Sequence, residues 1–293
     1  MPRHHTRHHR QLRLPGALLP ACLALGGCSI LEPKPDEDVQ AEALYQTAKT
    51  SLQSGYYSAA IENYRKLETT FPFSRHSQAA LLETAYAHYK IEDNETATVM
   101  TGRFIKNNPN HPNLDYAYYL QGLAWFNYGR NLLNKIVPRD RTTKDPRPLI
   151  ESFAAFKHLH ENFPESSYHD SAGTHLVVLR NLLAIYEMRV AGFYLRQGSY
   201  VAAVNRIKYM LEQYDGAQNT PDALYLMAGA YRRLGAGDLA DDTIKVLIHN
   251  YPDYLGADMK PVGAPARERR GWMDALNRLA DSLLDKLNLK ARN

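Results

Sequence analysis

One spacing recurs along this chain, and it leaves few folds open. Ala48 is followed by Ala60, Tyr64, Leu67 and Pro72, at steps of twelve, four, three and five. Ala85, Ala97, Thr101, Phe104 and Pro109 repeat every step, and so do Ala228, Ala240, Ile244, Leu247 and Pro252. Ala191, Ala203, Ile207, Met210 and Asp215 keep the steps without the proline. Gly122, Ser152, Phe156, Leu159 and Pro164 make a fifth copy once 18 inserted residues are allowed after the first helix. Two small residues let a pair of helices approach closely, a large apolar pair fills the space between them, and proline stops the second helix. A single ladder of this kind would be weak, because Ala and Leu are common in any helix. The competing reading is an irregular all-α domain with an accidental period. Register across copies argues against it, since Pro72 to Ala85, Pro109 to Gly122 and Asp215 to Ala228 are each 13 residues.

The pattern is that of tetratricopeptide (TPR) hairpins, in a unit about one turn longer than the usual ~34 residues. The expected fold is all-α: a TPR solenoid of five helical hairpins, with no alternating run long enough for a strand. Each hairpin is apolar on two sides and needs neighbours to bury both. Gly55, Gly198 and Gly235 break hairpins one, four and five, and Ser74, Asn94 and Thr220 sit at expected N-caps. Two departures from a plain array stand out. An insertion at 129–147 carries Pro138, Pro146 and six basic side chains from Arg130 to Arg147. It reads equally as a binding loop or a solvated one. The stretch 166–197 has no proline or glycine between Thr174 and Ala191, so one long helix is expected to bridge repeats three and four. It separates an N-terminal half, 38–165, from a C-terminal half, 166–254. Residues 255–293 hold Pro261 and Pro265 and then a stripe of Trp272, Leu276, Leu279, Leu283, Leu284 and Leu287. This predicts a linker and a C-terminal capping helix, with Trp272 as the anchor of the cap.

The first 27 residues read as a targeting segment. Arg3, Arg7, Arg10 and Arg13 precede LPGALLPACLALGG, which is apolar but too short to span a bilayer. Leu25-Gly26-Gly27-Cys28 resembles a bacterial lipobox. The resemblance implies cleavage before Cys28, N-acyl and S-diacylglycerol lipid on that cysteine, and a lipidated tether at 28–37. Ser29, where an Asp usually marks inner-membrane retention, implies the periplasmic face of the outer membrane. Without its four arginines the mature chain carries 31 basic and 31 acidic side chains, so the formal charge of +4 is no argument for nucleic acid. Cys22 leaves with the leader, and Cys28 alone makes no disulfide within the mature chain.

Catalytic motifs are missing from the sequence: no GxSxG, Walker loop, HExxH or GxGxxG. His158 and His160 are two apart, face different ways on a helix, and cannot chelate one metal. Glu83 and Glu151 are the nearest candidates for an isolated general acid. Twenty tyrosines against eight phenylalanines suggest a second role besides core packing. On the first helices Tyr45, Tyr86, Tyr89, Tyr118 and Tyr119 either fill the core or line a concave groove, where tyrosine suits peptide binding. Lys49, Arg75 and Lys90 lie among them and could meet a peptide carboxylate. On the second helix of repeat four Arg206 sits at the edge of the packed face. It is either a partner contact or an internal ion pair, for instance with Asp241 or Asp242.

Local strings sharpen this. FPFSRHSQAA at 71–80, RFIKNNPNHPNLDYAYYLQGL at 103–123, PRDRTTKDPRP at 138–148 and QGSYVAAVNRIKYML at 197–211 resemble the BamD (ComL) family of the β-barrel assembly machinery, over about residues 25–253. The resemblance implies a non-enzymatic scaffold with no cofactor besides the lipid on Cys28. It implies that the C-terminal repeats, Arg206 among them, bind a POTRA domain of BamA. It also implies contacts with the other lipoproteins of the complex and with unfolded outer-membrane proteins. Residues 255–293 extend past the resemblance. A TPR lipoprotein adaptor for pilus assembly or peptidoglycan enzymes is the alternative.

Overall fold

The structure, a computed structural model, describes residues 36–129 and 145–255. The leader, Cys28 and its tether up to Pro35, most of the insertion, and the expected capping helix with Trp272 lie outside the described residues. Within them the chain is helical, with ten α-helices: α1 (Glu37–Gln53), α2 (Tyr57–Thr70), α3 (Ser77–Lys90), α4 (Asn94–Asn107), α5 (Leu114–Asn127), α6 (Arg147–Asn162), α7 (His169–Arg196), α8 (Tyr200–Gln213), α9 (Thr220–Arg233) and α10 (Gly237–Asn250). A short 3-10 turn, Pro252–Leu255, follows. Each helix packs on the next, and among the first helices of the hairpins α1 also meets α3 and α3 meets α5.

The ladder is the core. Its small residues Ala48, Ala60, Ala85, Ala97, Ser152, Ala191, Ala203, Ala228 and Ala240 are fully covered, as are Leu67, Phe104, Leu159, Met210 and Leu247 on the fourth rung. Gly122 shows why the first rung must be small. A Cβ there would stand 2.7 Å from the ring of Phe156, and Ser152 Oγ donates to the Gly122 carbonyl at 2.8 Å. The 28-residue α7 is the expected bridging helix, beginning three residues later than the sequence stretch that predicts it. It does not interrupt the core. One apolar cluster runs from Phe126 and Phe156 through Leu179, Leu183 and Met188 to Met210 and Ala223, so α5 to α9 share it.

The breaks between paired helices follow a rule that the glycines only partly reveal. Gly55, Glu92, Gly129, Gly198 and Gly235 all have positive φ, between 66° and 79°. Each lies seven residues after the first-rung small residue of its copy. The N-caps differ from expectation. Asp93, one residue before Asn94, caps α4 by accepting from Thr96 N at 3.2 Å. Asn94 is buried, and its amide donates to the carbonyls of Glu92 and Asn127. Ser74 caps the turn ahead of α3, its Oγ accepting from His76 N, and Asn219 rather than Thr220 holds the N-cap of α9.

Candidate functional site

The first helices carry the candidate residues of the N-terminal half, at spacings that put them on one face. Glu42, Tyr45 and Lys49 are three and four apart on α1, as Tyr86, Tyr89 and Lys90 cluster within one turn and a half on α3. Tyr45 is buried. Its hydroxyl donates to Glu83 Oε1 at 3.1 Å, and Tyr64 of α2 donates to Glu83 Oε2 at 2.5 Å. Burial, with the Glu83 charge beside it, pushes Tyr45 up to about 12, and the same causes raise Tyr64 further. Glu83 is thus a staple that ties α1 and α2 to α3. As an acceptor for two hydroxyls it is no open general acid, and Glu151 stands exposed on α6.

Around this staple the basic residues divide. Arg75 reaches Glu42 at 2.5 Å, His76 lies 2.8 Å from the same carboxylate, and the His76 ring stacks on Tyr45 with centroids 4.5 Å apart. The hydrogen bond from Gln46, and then that from Arg75, hold Glu42 at about 2. Arg75 is therefore engaged within the chain. Lys49 and Lys90 differ. Lys49 Nζ sits 5.5 Å over the Tyr45 ring, and Lys90 Nζ sits 5.7 Å over Tyr57 and 5.9 Å over Tyr86. Neither has a carboxylate partner among the described residues. Both are ammonium groups held on aromatic faces with their donors left for another acceptor. Tyr57 and Tyr86 meet edge to face at 6.3 Å.

The aromatic lining continues along α5. Tyr86, Tyr89 and Tyr116 are half-buried against the α3–α5 core, and Tyr116 lies 5.4 Å from Tyr168. Tyr119 stacks on Tyr168 at 4.7 Å and shares a hydrogen bond with Ser171. Tyr118 packs on His158 at 4.1 Å. Of the tyrosines singled out from sequence, Tyr45 belongs to the core, and Tyr86, Tyr89, Tyr118 and Tyr119 present part of their area. Glu42, Tyr57 and His76 complete the surface and escaped the sequence reading, while Glu83, considered there as a general acid, serves instead as the acceptor for Tyr45 and Tyr64. The signal for Glu42 was present, three residues before Tyr45 on the same helical face.

In the C-terminal half Arg206 Nη1 bonds Glu187 Oε2 of α7 at 3.0 Å. Asp241 and Asp242, the partners considered from sequence, pair instead with Arg232 at 3.6 Å and Lys245 at 2.9 Å. The Glu187 side chain is 7% exposed and that of Arg206 39%. Burial raises the Glu187 carboxyl, and Arg206 offsets part of that shift. The guanidinium thus uses one edge inside and keeps the other at the surface. Among the described residues no group of three or more metal-ligating side chains converges, and no helix is long and apolar enough to cross a membrane.

Comparison with known proteins adds to this geometry. Residues 37–253 match the model of the YfiO family, described as outer membrane lipoprotein. An outer membrane protein assembly factor BamD from Neisseria gonorrhoeae is 38% identical over 237 residues, which is 81% of this chain and 88% of that protein. The factor of the same name from Vibrio cholerae is 34% identical, over 76% of this chain and 92% of its own. That from Haemophilus influenzae is 33% identical, over 84% and 93%.

Proposed function

The chain belongs to the BamD family of outer-membrane lipoproteins, and from that premise we propose a non-enzymatic scaffold that assists the assembly of β-barrel proteins into the outer membrane. It is held to the periplasmic face by lipid on Cys28. The groove over α1, α3 and α5 takes extended, aromatic-rich C-terminal segments of unfolded barrel proteins. The C-terminal hairpins bind a POTRA domain of BamA, with the exposed edge of Arg206 meeting an acidic residue there. Other lipoproteins of the machinery bind alongside.

The observation that carries the groove reading is the pair Lys49 and Lys90, two cations seated on tyrosine rings without a carboxylate of their own. Tyrosine faces accept apolar and aromatic side chains at small entropic cost, and an ammonium group can receive a terminal carboxylate. The test is the affinity of a peptide ending in a free aromatic residue, measured against its C-terminal amide. Amidation, or Lys49→Ala with Lys90→Ala, is expected to weaken binding about tenfold, of the order of one charge-assisted contact. Equal affinity in both comparisons would rule out carboxylate capture. The anchor is checked separately, by mass spectrometry of the mature N-terminus. An unmodified Cys28 removes the lipoprotein reading and leaves the groove standing.

A further inference from the structure

The last hairpin has a face that every earlier hairpin covers. On the third rung of the ladder Tyr64 is 1% exposed and Thr101, Phe156 and Ile207 are 0% exposed. In each case the next hairpin's first helix packs against the second helix that carries the rung. Ile244, the same rung on α10, is only half-buried. One turn on, Ile248 is 48% exposed, whereas its counterpart Leu211 on α8 is packed against the main core. Ile244 and Ile248 are four apart, so they form one apolar flank of α10.

The chain beyond α10 begins as though to cover that flank. At the four earlier junctions the same backbone bond opens the turn into the next helix: Ser74 N to Phe71 O, His111 N to Asn108 O, Ser166 N to Phe163 O, and Ala217 N to Tyr214 O. A fifth copy follows α10, from Tyr254 N to Tyr251 O at 3.1 Å. Tyr254 is then fixed on α9, its hydroxyl donating to Asp222 Oδ1 at 2.6 Å. A regular array would set the next small residue 13 positions after Pro252, where Pro265 stands with Pro261 before it. Two prolines there forbid a sixth hairpin in register. The apolar stripe comes later, from Trp272 to Leu287. The 14 residues from Leu255 to Arg269 reach up to about 45 Å, and α10 is about 21 Å long, so the stripe can lie along it in either direction. The matched family span ends at residue 253, before this segment.

We propose that residues 269–290 dock their stripe of Trp272, Leu276, Leu279 and Leu283 on the Ile244–Ile248 flank of α10 and close the array. The segment supplies, out of register, the apolar surface that a following first helix gives each earlier hairpin. The test uses the full-length chain. Leu279→Asp with Leu283→Asp lies outside the ten helices. It is expected to raise hydrogen exchange in peptides covering 239–251 about tenfold while leaving α1–α6 unchanged. A photo-reactive benzoylphenylalanine at Ile248 is expected to form adducts with residues 269–290 of its own chain. Unchanged exchange in α10 overturns the proposal. So do adducts that join two copies, which would make the flank a self-association surface, or adducts with a different protein.

Discussion

Arg206 shows how one side chain can serve both the fold and a partner, and how the two can be separated. Its position at the edge of the packed face was readable from the ladder, because Ala203 and Ile207 bracket it. Its internal partner was not, because Glu187 lies on the preceding helix and only packing brings the two together. A hint existed: Glu187 is the one acid in the apolar run LLAIYEMRVAG, four residues before the core residue Ala191. Folding takes Glu187 from water, and its carboxyl is raised. In the pH range between its unfolded and folded values the native state holds more protons, so this group's contribution to stability falls as pH rises. At neutral pH the ionised carboxylate depends on Arg206. Arg206→Ala is therefore expected to cost about 2 kcal/mol, the order of an unsatisfied buried polar group, and to lower Tm by about 4–8 °C. The deficit should shrink on acidification, as Glu187 takes up a proton, and Glu187→Gln in the same background should restore most of it. Thermal melts of the three proteins at neutral and acid pH decide this. A pH-independent deficit would mean that Arg206 stabilises through its aliphatic stem. Partner binding is better probed with Arg206→Lys, which keeps a charge beside Glu187 and loses the planar fork.

At the level of the helices, sequence located the hairpins but not every break between them. Of the five positive-φ positions that lie seven residues after a first rung, three were recognised because glycine occupies them and the next helix follows at once. Gly129 was hidden at the edge of the insertion. Glu92 was invisible, because a glutamate says nothing of a left-handed backbone. It tolerates φ of 66° because Asn94, buried behind it, donates to its carbonyl and to that of Asn127. The left-handed conformation costs an L-residue roughly 1–2 kcal/mol, and glycine returns part of that gain through a more flexible unfolded chain. Glu92→Gly is expected to stabilise by about 0.5–1 kcal/mol, raising Tm by about 2 °C. Differential scanning calorimetry checks the sign, and a lowered Tm would show that the Glu92 side chain contributes more than its backbone costs. The shifted caps have a related cause. At α4 the cap falls to Asp93 because the Asn94 amide is committed to the carbonyls of Glu92 and Asn127.

Across the whole array, stability follows from neighbours. In a stack whose repeats touch only adjacent repeats, an interior hairpin is held from both sides and a terminal one from one side. The core clusters reflect this. Ala41, Tyr45, Ala48, Tyr64 and Leu67 form a separate cluster that reaches only to Ala80, whereas Leu183 lies in the cluster that joins α5 to α9. The ladder made the repeating core legible, but it treats all copies alike and cannot say where the array is weakest. Leu67 and Leu183 are both buried, at 0% and 1% exposure, so truncating either to alanine removes a similar apolar volume. Each is expected to cost about 2–5 kcal/mol locally. The consequences should differ in reach. Leu67→Ala is expected to speed hydrogen exchange in α1 to α3 and leave α6 to α9 protected, since the first hairpin can open alone. Leu183→Ala should raise exchange in α5 through α9 together, because the long helix α7 cannot open without releasing both neighbours. Peptide-resolved exchange of the two variants distinguishes graded from all-or-none behaviour. If Leu67→Ala exposes α6 to α9 as strongly as α1 to α3, the chain unfolds as one cooperative unit. The groove over α1 and α3 could not then open independently of the surface around Arg206.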